Sequence, residues 1–234
     1  SLDTASLKLA YESLEQAKQL NNAKNPRLIA EILDEQAQLY EEQHRTDEAL
    51  YLNTQALQAA RTVQADDLLL NLEWRQGRIL KTKKQLPEAI AAYERAVAHI
   101  ETIRQDIPVE YHDGRSSFRE TLEPVYLGLA DLLLQQANSA SDPQKGQLLR
   151  HARDTVELIK QSELADFLGG RCAVSGANLA RVDKIGSGTA VIYPIIFPDR
   201  LEILVGIDSD LAHYSKTITS DNLEGLVLNF AHSL

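Results

Sequence analysis

The sequence predicts a mainly α-helical chain in which antiparallel helical hairpins form a solenoid, followed by a small α+β segment. Residues 25–104 contain one pattern twice, at an offset of 40 residues. A fixed period in this range is typical of stacked helical hairpins. From Thr189 onward, runs of β-branched residues alternate with turn residues. These runs predict a three-stranded antiparallel meander and then a terminal helix.

The two copies agree at their small and apolar positions. Ala37 corresponds to Gly77, Tyr40 to Leu80, Glu48-Ala49-Leu50 to Glu88-Ala89-Ile90, and Ala56-Leu57 to Ala96-Val97. Two antiparallel helices approach closely only where their side chains are small. We therefore expect Ala37 and Gly77, together with Ala49 and Ala89, to lie where partner helices cross.

The helical repeats are expected to occupy residues 1–162. Apolar periodicity predicts a half repeat at 4–20, full repeats at about 25–63 and 66–104, and a degenerate repeat at 116–160. The half repeat carries Leu7, Ala10, Tyr11, Leu14 and Ala17 on one stripe. Five helix starts are expected: Asn25-Pro26, Asp66 or Asp67, Leu86-Pro87-Glu88, a capping box of Ser117 and Glu120, and Asp142-Pro143. The helix that begins at Asp142-Pro143 is expected to run through Lys160. Pro124 predicts a kink or a restart.

Residues 163–234 are predicted to form the α+β segment. A short helical turn is expected to end at Gly169-Gly170, and strands are expected at 189–197, 201–207 and 213–219. Asp221 or Ser220 is expected to cap the last helix. That helix carries Leu223, Leu226, Val227, Phe230 and Ala231 on its apolar side.

Both copies within residues 25–104 carry four features in the same order. These are the small residue, an aromatic or aliphatic residue after it, the Glu-Ala-Leu/Ile opening of the second helix and a later alanine. In this order they resemble the tetratricopeptide repeat (TPR). The usual TPR unit has about 34 residues, so longer helices or loops are expected here. The resemblance implies a scaffold that binds a protein or peptide partner, or another segment of the full-length chain.

A second set of sequence runs lies mostly after residue 152. The runs are Ala152 to Leu158 leading into Glu163-Leu164, Cys172-Ala173-Val174, Gly188 to Pro194 and Pro198 to Glu202, with Ser116-Ser117-Phe118-Arg119 and Pro124-Val125-Tyr126 upstream. Together they resemble the opening of a CHAT domain, a caspase-like module, and its connecting helices. Intact CHAT domains resemble cysteine peptidases with a His and a later Cys. The resemblance implies that such a dyad would lie beyond Leu234.

Composition argues against several classes of function. A net charge of −10 and a pI near 5.1 argue against nucleic-acid binding, which depends on clustered Lys and Arg. The longest nearly unbroken apolar run, Ala190 to Phe197, is far shorter than the roughly 20 residues of a membrane span. We expect a soluble protein without a membrane partner, cytoplasmic rather than secreted. A processed secreted form stays open, because the chain begins with Ser instead of Met.

No catalytic, metal or cofactor site is predicted. Cysteine catalysis needs a thiolate with a histidine within hydrogen-bond reach. Cys172, the single cysteine, follows Gly169-Gly170-Arg171, and no predicted strand precedes it. We interpret Cys172 as a buried or linker thiol, and His151 and His213 as surface or hydrogen-bonded polar residues. Neither a phosphate-binding loop nor a metal-ligand spacing occurs.

The first helix of each TPR hairpin lines the concave face of the stack, so the resemblance predicts a binding groove. The side chains expected to face it are Glu31, Asp34, Gln38 and Glu41 from one helix and Asn71, Trp74, Arg78 and Lys81 from the next, with Asp131 extending the wall. This set suits a peptide or helix of mixed charge, because Trp and Arg are common interface anchors. The alternative is that Trp74 completes packing between helices and the charged residues are solvated.

We therefore predict a non-enzymatic protein-interaction scaffold, and two other functions stay open. One is the regulatory half of a caspase-like cysteine peptidase. The other is a structural module that forms a homo-oligomer through an apolar N-terminal end and an unpaired sheet edge.

Overall fold

The structure is a computed structural model. It describes residues 4–21, 24–103, 111–112, 115–116, 122–167, 189–207 and 210–232. The chain divides into two compact units, residues 1–132 and 133–234. The division falls within a helix, and the domain boundary predicted after residue 162 stays a prediction.

Consecutive helical hairpins form the first unit, as predicted. The elements are α1 (Thr4–Asn21), α2 (Pro26–Glu42), α3 (Thr46–Thr62), α4 (Asp66–Thr82), α5 (Leu86–Ile103), a short ladder of β1 (Tyr111–His112) and β2 (Arg115–Ser116), and the start of α6 (Glu123–Ser139). The α2 helix packs on α3, and α4 packs on α5. The α3 helix packs on α4 and joins the two hairpins, while α1 packs on α2.

The 40-residue offset follows from helix and loop lengths. The α2, α3 and α4 helices each have 17 residues. Each is followed by a three-residue connection, so equivalent helices begin 40 residues apart, at Pro26 and Asp66. Because each helix of this length makes nearly five turns, the hairpin is longer than the usual TPR unit of about 34 residues.

The three connections share one backbone conformation. His44, Gln64 and Lys84 are their middle residues, with φ of 59°, 49° and 60°. At the first, the His44 N–H donates to the Glu41 carbonyl and the Arg45 N–H donates to the Tyr40 carbonyl, both at 2.9 Å. This pair of bonds is a Schellman motif, which usually has glycine at the left-handed position.

Two predicted proline positions fall at helix starts. Asn25 is the N-cap of α2, its side chain accepts a backbone N–H at 3.3 Å, and Pro26 is the first helical residue. Pro124 lies in the first turn of α6, so it marks a start instead of a kink. The capping box predicted at Ser117 and Glu120 lies outside the described residues.

The prediction that Asp66 or Asp67 caps α4 is wrong. The N-cap is Ala65, and no side chain caps the helix. Ala65 has two backbone roles, because its N–H bonds back to α3 while its carbonyl accepts the first bond of α4. Asp66 and Asp67 instead lie in the first turn of α4, where carboxylates favour the positive end of the helix dipole.

The second unit contains the predicted antiparallel meander. Its elements are the rest of α6, α7 (Asp142–Phe167), β3 (Ala190–Ile196), β4 (Arg200–Ile207), β5 (Asp210–Thr217) and α8 (Ser220–His232), with strand order β3-β4-β5. The α7 helix extends beyond its predicted end at Lys160, and β5 begins three residues before the predicted His213. The turn predicted at Gly169-Gly170 lies outside the described residues.

The predicted cap of α8 is also wrong. The hydroxyl oxygen of Thr219 accepts the Asn222 N–H at 3.4 Å, which places the N-cap before Ser220 and Asp221. The apolar side of α8 is largely exposed, with Leu226 59% and Val227 58% accessible.

The sheet has one buried face and one exposed face. Tyr193, Glu202 and Leu204 point to the buried face. The α7 helix packs against β5, and the Lys160 ammonium lies 4.9 Å from the Tyr193 ring centroid. The opposite face carries Ile192, which is 62% accessible.

Candidate functional site

The side chains predicted to line a groove come together on neighbouring faces of α2 and α4. We define the α2–α4 face by Glu31, Asp34, Gln38 and Glu41 of α2 and Asn71, Trp74, Arg75 and Arg78 of α4. Seven of these eight residues are predicted from the sequence, and Arg75 is the addition. The face lies wholly within the first unit.

Arg75 is the centre of a polar network that joins the two helices. Its Nε and Nη2 donate to the two carboxylate oxygens of Asp34 at 2.6 and 3.3 Å. Its Nη1 donates to Glu41 Oε2 at 2.9 Å, and its Nη2 also donates to Gln38 Oε1 at 3.3 Å. Every polar end of the guanidinium therefore faces an acceptor, as a buried charge requires.

Burial and pairing act on Arg75 in opposite directions. Burial works to lower the pKa of Arg75, but the hydrogen bond from its guanidinium to Asp34 and the charges of Asp34 and Glu41 raise that pKa above its ordinary value. The side chains of Arg75 and Asp34 are only 10% and 12% accessible. Asp34, predicted to face a groove, is therefore largely enclosed and links α2 to α4.

The sequence contained a signal for Arg75. Position 75 lies four residues after Asn71 and three before Arg78, so all three share one helix face. The predicted set takes the same four positions relative to Ala37 and to Gly77, and position 75 is not one of them. The partner that makes burial tolerable, Asp34, lies on a different helix.

Arg78 and Trp74 form the partly exposed centre of the face. Arg78 donates two bonds to Glu41, both 3.1 Å long, and its guanidinium carbon lies 4.7 Å from the Trp74 ring centroid. The Arg78 side chain is 34% accessible. A guanidinium over an indole in this geometry forms a cation–π contact.

Trp74 is also held from its buried side. Tyr93 of α5, a residue that is 4% accessible, lies on that side, and its hydroxyl interacts with Trp74. Burial raises the pKa of the Tyr93 hydroxyl, although the Arg78 charge and the bond from Trp74 oppose this shift. Trp74 therefore contributes to packing between helices, as the alternative interpretation expects, and remains half-exposed.

The ends of the predicted set make separate contacts. Lys81 donates to Asp131 of α6 at 2.5 Å, and the two side chains are 41% and 8% accessible. At the other end, Glu31 accepts a bond of 3.0 Å from Arg27, and the Asn71 amide bonds to a carbonyl of its own helix at 3.4 Å. The structure thus brings Lys81 beside Asp131 and leaves Glu31 and Asn71 at the accessible margin.

A further ion pair joins the starts of α2 and α4. Arg27 makes two bonds to the Asp67 carboxylate, at 3.1 and 2.5 Å. The hydrogen bond from Arg27 lowers the pKa of Asp67 below its ordinary value. With Asp34–Arg75 and Glu41–Arg78, this pair completes a series of charged links along the two helices.

A buried carboxylate on another side of α4 has a structural role. Glu73 is 1% accessible and accepts bonds of 2.8 Å from Arg61 of α3 and from Arg95 of α5. Two cations on neighbouring helices neutralise it, which offsets the cost of removing the carboxylate from water. No sequence pattern predicted this cluster.

The second unit contains a buried polar cluster on its sheet. His213 Nε2 lies 2.8 Å from Glu202 Oε2, and Arg200 Nε donates to Glu202 Oε1 at 2.6 Å. Their geometry agrees with the interpretation of His213 as a hydrogen-bonded polar residue. His151 is exposed on α7, and Cys172 lies outside the described residues.

Two properties of the described part of the chain concern metal binding and membrane insertion. Among these residues, no group of three or more His, Cys, Asp or Glu side chains is arranged to hold a metal ion. No described helix combines the length and apolar character needed to cross a bilayer.

Neither the protein-family models nor the curated proteins and solved structures contain a match to this chain. The resemblances to TPR and CHAT proteins therefore stay predictions.

Proposed function

We propose that the first unit is a protein-interaction scaffold whose α2–α4 face binds a peptide segment of mixed charge. The segment belongs to a partner protein or to another part of the full-length protein. The observation that carries this proposal is the half-exposed Arg78–Trp74 stack, fixed at the centre of a hydrogen-bonded network.

The network supports binding because it orders the contact residues in advance. Arg78 lies against Trp74, Glu41 holds Arg78, and Arg75 holds Glu41. Ordering a flexible side chain on binding costs about 0.5–1.5 kcal/mol, and this cost is reduced for side chains that are already fixed. Trp and Arg are also the residue types most often found to dominate interface energies.

The arrangement of charge favours a partner of mixed charge. Glu31 and Glu41 lie on the α2 side of the face and Arg78 lies on its α4 side, with Lys81 just beyond it. Each of these charges also has an ion-pair partner within the chain. A segment with basic residues over α2 and acidic residues over α4 would complement both sides. Partly exposed charges of this kind change association rate and salt dependence more than they change affinity.

Selection of peptides from a random display library, using the full chain as target, tests this proposal. Selected peptides are synthesised and their affinities measured by calorimetry against the wild type, Trp74→Ala and Arg78→Gln. We expect each substitution to weaken binding at least tenfold. Tyr51→Ala is the matched control, because Tyr51 is an exposed aromatic on α3 with 66% accessibility, and it should leave affinity within twofold.

Two results would contradict the proposal. One is that repeated selections yield no peptide that binds the folded chain. The other is that selected peptides bind Trp74→Ala and Arg78→Gln as tightly as the wild type, with circular dichroism showing that both variants are folded.

A further inference from the structure

The second unit exposes an apolar sheet face. We define the outer sheet face by the even-numbered residues of β3 and β5 and the odd-numbered residues of β4, which the strand register places side by side. Ile192, Ile196, Ile207 and Tyr214 on this face are 62%, 52%, 49% and 61% accessible. A sheet that faces water on one side normally carries polar residues there. Large apolar patches of this kind mark interaction surfaces.

The charged residues of this face are confined to the ends of β5. Asp210 lies at one end and Lys216 at the other, with Ala212 and Tyr214 between them on the same side of the strand. Along β5 the face therefore reads acid, small, large, base. This order is self-complementary when the strand is reversed.

We propose that the outer sheet face is an interface between two copies of this chain, packed sheet on sheet. A two-fold axis parallel to the sheets and perpendicular to the strands places β5 over β5 with the direction reversed. Asp210 then lies opposite the partner's Lys216, and Ala212 lies opposite the partner's Tyr214. Such an isologous interface uses one patch twice, as cyclic dimers do. The complementary order along β5 is the reason to choose a second copy as the occupant.

Pairing through sheet edges is a different arrangement and is less well supported. Pro194 lies in the edge strand β3 and has no N–H to donate, a feature that protects edges from pairing. Antiparallel pairing of β5 with the partner's β5 would match the same charges. However, it would leave Ile192 on the far edge strand in water. Packing of the faces covers Ile192 as well.

The size of the face indicates a weak dimer. Three strands spaced about 4.8 Å apart, each rising about 3.3 Å per residue, give a face about 14 Å by 25 Å. Two such faces with protruding side chains bury about 1,000 Å², near the lower limit of specific interfaces. We therefore expect a dimer that dissociates on dilution.

Sedimentation velocity over a range from about 1 to 500 μM tests the proposal with the full chain. The mass should rise with concentration from the 26.1 kDa of the monomer towards twice that value. Ile192→Glu should abolish this rise. Lys216→Asp should weaken association at least tenfold because it faces the partner's Asp210. The double variant Asp210→Lys/Lys216→Asp should restore it, because both pairs are then reversed.

The variants also separate the competing occupants. Dimerisation that survives Ile192→Glu but responds to the charge variants would assign the contact to the β5 edge and overturn sheet-on-sheet packing. Loss of association in Leu226→Glu, with no response to Ile192→Glu, would assign it to the exposed side of α8. A monomer at every concentration would overturn the proposal outright. Restoration by the double variant could not arise from misfolding, and circular dichroism of Ile192→Glu provides the folding control.

Discussion

Tyr93 of α5 lies against Gly77 of α4 so closely that a Cβ atom on Gly77 would sit 2.4 Å from Tyr93 Cδ2. Gly128 of α6 closes on the same ring, with a Cβ there 2.4 Å from Tyr93 Cε1. The ring thus fills the space that two glycines leave open. This contact explains why the second hairpin has Gly77 where the first has Ala37, because the position equivalent to Tyr93 in the first hairpin is the smaller Asn53.

We predict that Gly77→Ala destabilises the hairpins by about 1–2 kcal/mol net, because a Cβ atom 2.4 Å from the Tyr93 ring puts the cost of overpacking at the upper end of the usual range of about 1–3 kcal/mol. This cost outweighs the gain of about 1 kcal/mol that alanine brings to a helix interior. Denaturant unfolding followed by Trp74 fluorescence measures the change. Gly225→Ala is the control, since no atom lies within 4 Å of a Cβ there. It should be neutral or stabilising by circular dichroism. Equal stability of Gly77→Ala and the wild type would refute the close contact.

We predict that His44→Gly stabilises the first hairpin by about 0.5–1 kcal/mol. A non-glycine residue in the left-handed region costs about 1–2 kcal/mol, and glycine avoids this cost. Glycine also has more conformational freedom in the unfolded chain, which offsets part of the gain. Thermal unfolding of the variant should show a higher midpoint. Gln43→Gly, one residue earlier at φ −86°, should lower it. A lower midpoint for His44→Gly would mean that this side chain contributes more than its backbone conformation costs.

We predict that Arg75→Met destabilises the chain by about 3–5 kcal/mol, because it leaves the enclosed Asp34 carboxylate without its cation. The double variant Asp34→Leu/Arg75→Met should recover most of this loss, since it removes both charges. Arg27→Met tests the exposed link between the same helices and should lower the denaturant midpoint far less than Arg75→Met does. Denaturant midpoints give all three values. A small effect of Arg75→Met would show that the network does not hold α2 to α4.

The Asp67 carboxylate provides a prediction about pH. Because Arg27 lowers the pKa of Asp67 in the folded chain, the pair contributes stability above the ordinary pKa of an aspartate, and this contribution disappears as the pH falls through the lowered value. The contribution is small, since both side chains are exposed and solvent screens the pair. An NMR titration of the carboxyl carbons should place the Asp67 midpoint below that of Asp67 in Arg27→Met. Coincident midpoints would contradict the link.

The hairpins could be predicted from the sequence because their crossings need small side chains, and Ala37, Gly77, Ala49 and Ala89 repeat at one offset. The N-cap of α4 could not be predicted in the same way. In the three-residue connection, the N–H of Ala65 bonds back to α3 and its carbonyl accepts the first bond of α4, so only backbone groups take part. Side-chain capping rules do not describe such a shared residue.

The site could be predicted in part. Helical spacing was sufficient to bring Glu41 and Arg78 to one face, since both positions follow from the repeat. Arg75 and its bond to Asp34 depend on the distance between two helices, which one sequence does not give. The exposed side of the sheet was missed for a related reason. The β4 strand has apolar residues on both of its faces, so its sequence does not indicate which face is buried.

Binding at the α2–α4 face can be tested most directly through Trp74, the single tryptophan of the chain. A selected peptide without tryptophan is titrated into the wild type while the emission of Trp74 is recorded. Binding at this face should produce a saturable change in emission whose midpoint equals the calorimetric Kd. Binding detected by calorimetry with unchanged Trp74 emission would place the peptide elsewhere and contradict binding at the α2–α4 face.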